Sequence, residues 1–123
     1  MTLGSAIARF DTLHPNEIPY EQKVTWLSEL DGIVHSEIIA LHEGAPPSEF
    51  TGYILQTPGT TQLAVPFPYD RIYIEYLNAL AELVRGDAVA YNNAIQIASV
   101  TFDAFAAEYN RTHTPLQTAR IRL

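Results

Sequence analysis

The sequence predicts a mainly α fold. It is a four-helix body with a β-hairpin between the second and third helices and an extended C-terminal tail. Three observations lead there. Apolar residues recur at helical spacing in four separate segments. A Thr57-Pro58-Gly59-Thr60 turn sits between two short apolar runs, and all periodicity stops after Arg111. At 123 residues the chain has room for one core, so we read a single helical domain over 1–111 and a tail over 112–123.

The first helix is predicted over Leu3 to about Leu13, with Thr2 as its N-cap and Pro15 closing it. Leu3, Ile7 and Phe10 fall on one face. A second helix runs from about Tyr20 to His42, with Pro19 at its start and Gly44 beyond its end. Its stripe is Val24, Leu27, Val34, Ile38 and Leu41, widened by Trp26, Leu30 and Ile33. Asp31 interrupts that stripe and Gly32 follows it, both poor choices inside a helix. A buried acid there needs a backbone or side-chain partner. Phe50–Gln56 and Gln62–Pro66 read as two strands of a hairpin spanning about 50–66. The third helix begins near Pro68 or Tyr69 and buries Ile72, Tyr73, Tyr76, Leu77, Leu80 and Val84. Gly86 ends it and Asp87 caps the fourth, which passes through Tyr91, Ile95, Phe102, Phe105 and Tyr109 to about Asn110. Two residues between helices make them an antiparallel hairpin.

Charge and composition exclude several classes. Fourteen acids against seven bases give a net charge of −7, and Lys23 is the one lysine. Binding that depends on neutralising phosphates needs clustered Lys and Arg, which this chain lacks. With no cysteine there is no disulfide, thiolate zinc site or Cys nucleophile. No apolar run reaches the roughly 18 residues of a membrane span, and Met1–Ala6 does not look like a signal peptide, so a soluble intracellular protein is expected. The Asn110-Arg111-Thr112 sequon carries no meaning without export.

Conventional chemistry is also absent from the pattern. His14, His35, His42 and His113 do not reproduce His-x-x-x-His or Glu-x-x-His spacing, so they read as solvated surface residues and no metal or cofactor is expected. No serine sits in a Gly-x-Ser-x-Gly elbow, and no glycine run precedes a Gly-Lys-Ser/Thr sequence. Asp70 and Glu75 look like ordinary helix-surface acids. The expectation is a protein without catalytic residues. Seven tyrosines, five phenylalanines and one tryptophan exceed what a small helical core buries, and tyrosine favours interfaces. Association with copies of itself or a partner follows.

Five groups of residues, in order along most of the chain, carry a resemblance. They are Met1-Thr2-Leu3-Gly4, Trp26-Leu27-x-Glu29-Leu30-Asp31-Gly32, Val65-Pro66-x-Pro68-Tyr69-Asp70-x-x-Tyr73, Tyr91-Asn92-Asn93 and Tyr109-Asn110-Arg111-x-His113-x-Pro115. As a set they resemble the tailed-phage and prophage head–tail connector proteins, also called adaptor or head-completion proteins. Phe67 stands where related sequences more often have an acid. The resemblance implies a structural virion subunit that forms a ring homo-oligomer beneath the portal protein and meets a head-closure or tail protein. It implies assembly in the host cytoplasm, no membrane, and DNA that passes through without specific binding. No catalytic residues belong to the family. A low-lysine, acidic subunit suits a channel that must not capture phosphates. The alternative is a small helical phage-encoded interaction or regulatory protein without catalysis.

Two candidate interface regions follow from these readings. The hairpin offers Tyr53, Leu55 and Leu63 on a projecting edge whose free N–H and C=O groups pair with a neighbour. The tail offers Arg120, Ile121, Arg122 and Leu123, alternately basic and apolar, for an acidic, apolar groove of a partner, the portal foremost.

Overall fold

A computed structural model of the chain describes residues 1–46 and 49–116. Four α-helices make up the body: α1 (Leu3–Leu13), α2 (Tyr20–Glu37), α3 (Ile72–Val84) and α4 (Ala88–Thr112). Short 3-10 turns follow α2 (Ile39–Leu41) and precede α3 (Tyr69–Arg71). The predicted helical class and helix number are correct, and the hairpin is not formed.

α1 starts where a local signal puts it. The Thr2 hydroxyl accepts the Ser5 N–H while the Ser5 hydroxyl accepts the Thr2 N–H, a reciprocal cap. Leu3, Ala6, Ile7 and Phe10 are buried. α3 is central, packing on α1, α2 and α4. α4 lies along α3 and makes close backbone approaches, among the helical elements, only to α3 and the 3-10 turn before it. Between them Gly86 takes φ +81°, a left-handed conformation that ends α3, and Asp87 accepts the Ala90 N–H to start α4. Side chains of α1, α2 and α3 meet Phe105 of α4 and Leu63 and Val65 of the long loop between the two 3-10 turns in one core.

Three expectations about these elements are corrected. α2 ends at Glu37 rather than His42, because the His42 ring takes the Ile38 carbonyl (2.6 Å) and the chain tightens into a 3-10 turn. Val84 at the end of α3 is 64% exposed, and Ile74, Ala79 and Ala81 are buried instead. Small residues let α3 sit close to its neighbours. The third correction is the hairpin.

Residues 50–66 contain no strand, because each half of the segment spends its backbone groups elsewhere. Ile54 O accepts the Thr57 N–H, and the Tyr53 N–H donates to the Ser28 hydroxyl on α2. Gly59 and Thr61 carbonyls accept the Gly4 and Leu3 N–H groups at the start of α1, and the Leu63 N–H donates to Met1 O. The loop therefore satisfies α1's orphan donors instead of pairing with itself. Gly4 is required for that approach, since a Cβ there would stand 3.1 Å from the Gly59 carbonyl oxygen. Isolated antiparallel bridges join Thr2 to Gln62 and His42 to Pro115. In the second, 114–116 run beside 41–43, with Glu43 N–H on Thr114 O and Leu116 N–H on Leu41 O. The start of the expected tail is thus anchored, and 117–123 lie outside the described residues.

Gly32 has no such constraint. It lies within α2, and a Cβ there would meet nothing within 4 Å. Gly32→Ala is expected to stabilise the fold by about 0.5–1 kcal/mol. A thermal melt should rise by roughly 2–6 °C. Gly4→Ala should lower it.

Candidate functional site

The densest polar constellation lies inside the protein, around Asp31. Its side chain is fully buried on α2. Oδ1 accepts the Tyr73 hydroxyl at 2.7 Å; Oδ2 accepts the Tyr53 hydroxyl at 2.5 Å and the Ala64 N–H at 3.0 Å. The Tyr73 oxygen in turn accepts the Val65 N–H at 2.7 Å. One carboxylate thereby fixes α3 and two points of the long loop. Gly52 takes φ +95° beside it, and a Cβ there would stand 2.7 Å from the Ser28 hydroxyl. Glycine lets the loop pass close enough for Tyr53 to reach inward.

Both phenols are pushed well above the ordinary tyrosine range. For Tyr53 the cause is burial first, then the hydrogen bond to Asp31 and its charge. For Tyr73 it is burial, then the Asp31 charge and the hydrogen bond to it, with the Val65 N–H opposing. Neither phenol is set up to give away its proton near neutrality. Both oxygens of the Asp31 carboxylate are engaged by donors of the protein itself. Asp31 thus has the polar partners that its position demanded.

A second buried charge links α1, the linker between α1 and α2 (residues 14–19), and α2. Lys23 is 4% exposed; its Nζ donates to Asp11 Oδ1 at 2.7 Å and to Asn16 Oδ1 at 3.2 Å. Burial pushes the Asp11 carboxyl up, but hydrogen bonds from Lys23 and Asn16 and the Lys23 charge outweigh it and hold the group below its ordinary value. The one lysine is spent inside the fold, unavailable to an anionic partner.

Three of the four histidines differ from the expected solvated residues, and His113 is exposed as expected. His42 is buried, with Nδ1 on the Ile38 carbonyl and Nε2 on Asn110 Oδ1, each at 2.6 Å. It joins the ends of α2 and α4. His14 stacks on Phe10 and His35 on Phe50, both half-buried, and the exposed His113 stacks on Tyr109 at 3.8 Å between ring centres. The aromatic rings that hold these imidazoles are distant in sequence or on the next helical turn, which spacing rules for metal ligands do not register. Among the described residues, no three His, Asp or Glu side chains converge on a point that could hold a metal ion. No helix among them is long and apolar enough to cross a membrane.

The expected interface residues separate. Tyr53 is half-buried and committed to Asp31, and Leu63 is 4% exposed in the core. Leu55 alone of the three faces solvent, beside the exposed Ile54. The free edge imagined for the hairpin does not exist, since the 59–63 backbone is already bonded to the start of α1. Arg120, Ile121, Arg122 and Leu123 lie outside the described residues. The sequence reading missed two exposed apolar features: Phe67, and one flank of α4. The flank was legible as a second apolar stripe beside the core-facing one.

An open cleft of about 920 Å3 lies between the end of α1, the linker and the end of α3. Trp26, Ile18 and Val84 line it, and its charged rim includes Glu82 and Arg85, which pair with each other at 3.3 Å. Compared with protein-family models, curated proteins and solved structures, the chain matches none.

Two outcomes follow. Asp31→Ala strands three donors and should cost at least about 3 kcal/mol, measured by urea unfolding. Alkaline titration followed by tyrosinate absorbance should show Tyr53 and Tyr73 ionising only as helical signal is lost. Their raised folded values mean that the stability they contribute is whole below about pH 10, the unfolded phenol value, and falls as pH climbs towards the folded values.

Proposed function

We propose that this protein is a structural virion subunit of a tailed phage or prophage, a head–tail connector or adaptor that forms a ring between portal and tail. The observation that carries the reading is where the connector-like residue groups sit. Asp31 of the second group accepts a hydrogen bond from Tyr73 of the third, and Tyr73 accepts one from Val65 of the same group. Met1 and Gly4 of the first group bond to the long loop, and the Met1 amino group lies 3.7 Å from Asp70 of the third. Asn110 of the fifth meets His42. Four of the five groups act as architecture, which supports a subunit without chemistry. Asn92 and Asn93 of the fourth group are exposed.

Charge agrees with a channel that DNA slides through. A net charge of −7 and a buried lysine leave little to hold phosphates. The basic alternation Arg120–Leu123 then serves the portal or the head-closure or tail protein, with assembly in the host cytoplasm. The protein acts without catalysis or cofactor. A small helical phage-encoded interaction or regulatory protein without catalysis is the second reading.

Cryo-electron microscopy and mass spectrometry of purified parent particles test this. Ring density at the neck that fits the helical body supports the connector; presence in infected cells with absence from particles establishes the regulatory reading instead. Deleting 117–123 spares the pairing of 114–116 with 41–43. It should leave the melting temperature unchanged while blocking attachment to filled heads. Anisotropy of labelled duplex DNA at physiological salt should show no binding tighter than about 0.1 mM.

A further inference from the structure

One flank of α4 is apolar, uncharged and open to solvent. Val89, Asn93, Ile97, Val100, Ala104 and Ala107 follow one another at three- and four-residue steps and so share a face. Val89 is 71% exposed, Ile97 56% and Val100 66%. This flank is distinct from the side that packs on α3, where Ala94, Ala98, Thr101 and Phe105 are buried. It is also distinct from the polar side that carries Asn92, Ser99 and Asp103. In a chain with 21 charged residues among 123, positions 88–102 carry none. Depletion of charge together with exposed apolar area is the compositional mark of an interface core.

We infer that this flank is where a second copy of the chain docks, α4 against α4, antiparallel about a two-fold axis passing between Ala98 and Ser99. Charge selects the occupant and its direction. Two copies each at −7 repel, so they can meet only where neither presents an acid, and the centre of α4 meets that condition. At the ends, the stripe finishes on exposed Arg111, which also pairs with Glu108 of its own helix, and Asp87 caps the start of the helix. An antiparallel pair brings each Arg111 to the other copy's Asp87 and opposes the helix dipoles favourably. A parallel pair would set Asp87 on Asp87 and Arg111 on Arg111. The same register lays Ile97 against Val100 at the centre and Asn93 against the small Ala104, with Val89 beside Ala107.

The size of the stripe sets the strength. α4 is about 37 Å long, but half a dozen side chains are far fewer than the twenty or more residues a side of a standard interface. The pair belongs to the weak class and its population grows with concentration. A two-fold contact closes at two copies and cannot build a ring, so this is a contact of the free subunit and does not depend on the connector reading. It covers the apolar flank before assembly.

Sedimentation velocity of the full chain from about 1 µM to about 1 mM should show 13.7 kDa monomer giving way to a species of twice that mass. Val100→Glu should move the transition at least tenfold higher in concentration with circular dichroism unchanged; Ile97→Lys is the second variant should Val100→Glu misfold. The chain has no cysteine, so single cysteines read the register cleanly. Val89→Cys mixed with Ala107→Cys should form a disulfide-linked pair, and Val89→Cys alone should not. A monomer throughout, an oligomer that survives Val100→Glu and Ile97→Lys, or self-linking of Val89→Cys would each overturn the proposal. Loss of ring density at the neck would not.

Discussion

Everything in the body depends on one buried carboxylate. Taking Asp31 out of water costs several kcal/mol, and only hydrogen bonds of good geometry offset it. Those bonds come from three places far apart in sequence: Tyr53 and Ala64 in the long loop and Tyr73 on α3. A compact state that lacks any one of them leaves a charge or a donor stranded. Competing packings of the same apolar stripes are therefore penalised, and a loop with no secondary structure of its own is held in one path. The hydrophobic residues around it supply most of the driving force, and Asp31 decides which arrangement they adopt.

What was legible in the sequence was whatever local chemistry decides. α1 runs over the predicted residues because its cap is the neighbouring pair Thr2 and Ser5. The turn between α3 and α4 was readable because Gly86 and Asp87 act within one helical turn. Asp31 stood out as an acid in an apolar stripe, but its partners lie 22 to 42 residues away and periodicity does not point to them. The same blindness to distance explains the rest. α2 stops at Glu37 on account of an imidazole that bonds to Asn110, and the hairpin is lost because α1's free N–H groups are better partners for residues 59–63. Of the expected interface, only Leu55 survives at the surface among the described residues, since Tyr53 and Leu63 were drawn inward by the loop's true path.

The polar interior and the bare flank of α4 divide the labour of the sequence. Interior polar residues, Asp31, Lys23, Thr101 and His42, specify how the elements meet, and each has a hydrogen-bond partner. Arg71, in the 3-10 turn before α3, reaches to Thr101 on α4 and to Glu75 on α3, fastening the helical hairpin at the end away from its turn. The outward flank of α4 makes no such commitment. Interaction capacity is thus placed on the longest and most regular element, where side-chain positions are fixed by backbone geometry alone.

The bonds from Ala64 and Val65 have a consequence for motion. These two amides sit in irregular backbone, where solvent exchange of protons is ordinarily quick and governed by local fluctuation. Here one donates to the carboxylate and the other to the phenol that the carboxylate holds. Releasing the first strips a donor from a buried charge, and releasing the second strips one from the buried phenol that the charge holds, which the intact core resists. Their protons leave only when the whole domain opens, while helical amides near the ends of α4 exchange sooner. The slowest-breathing backbone in the molecule includes a stretch of loop.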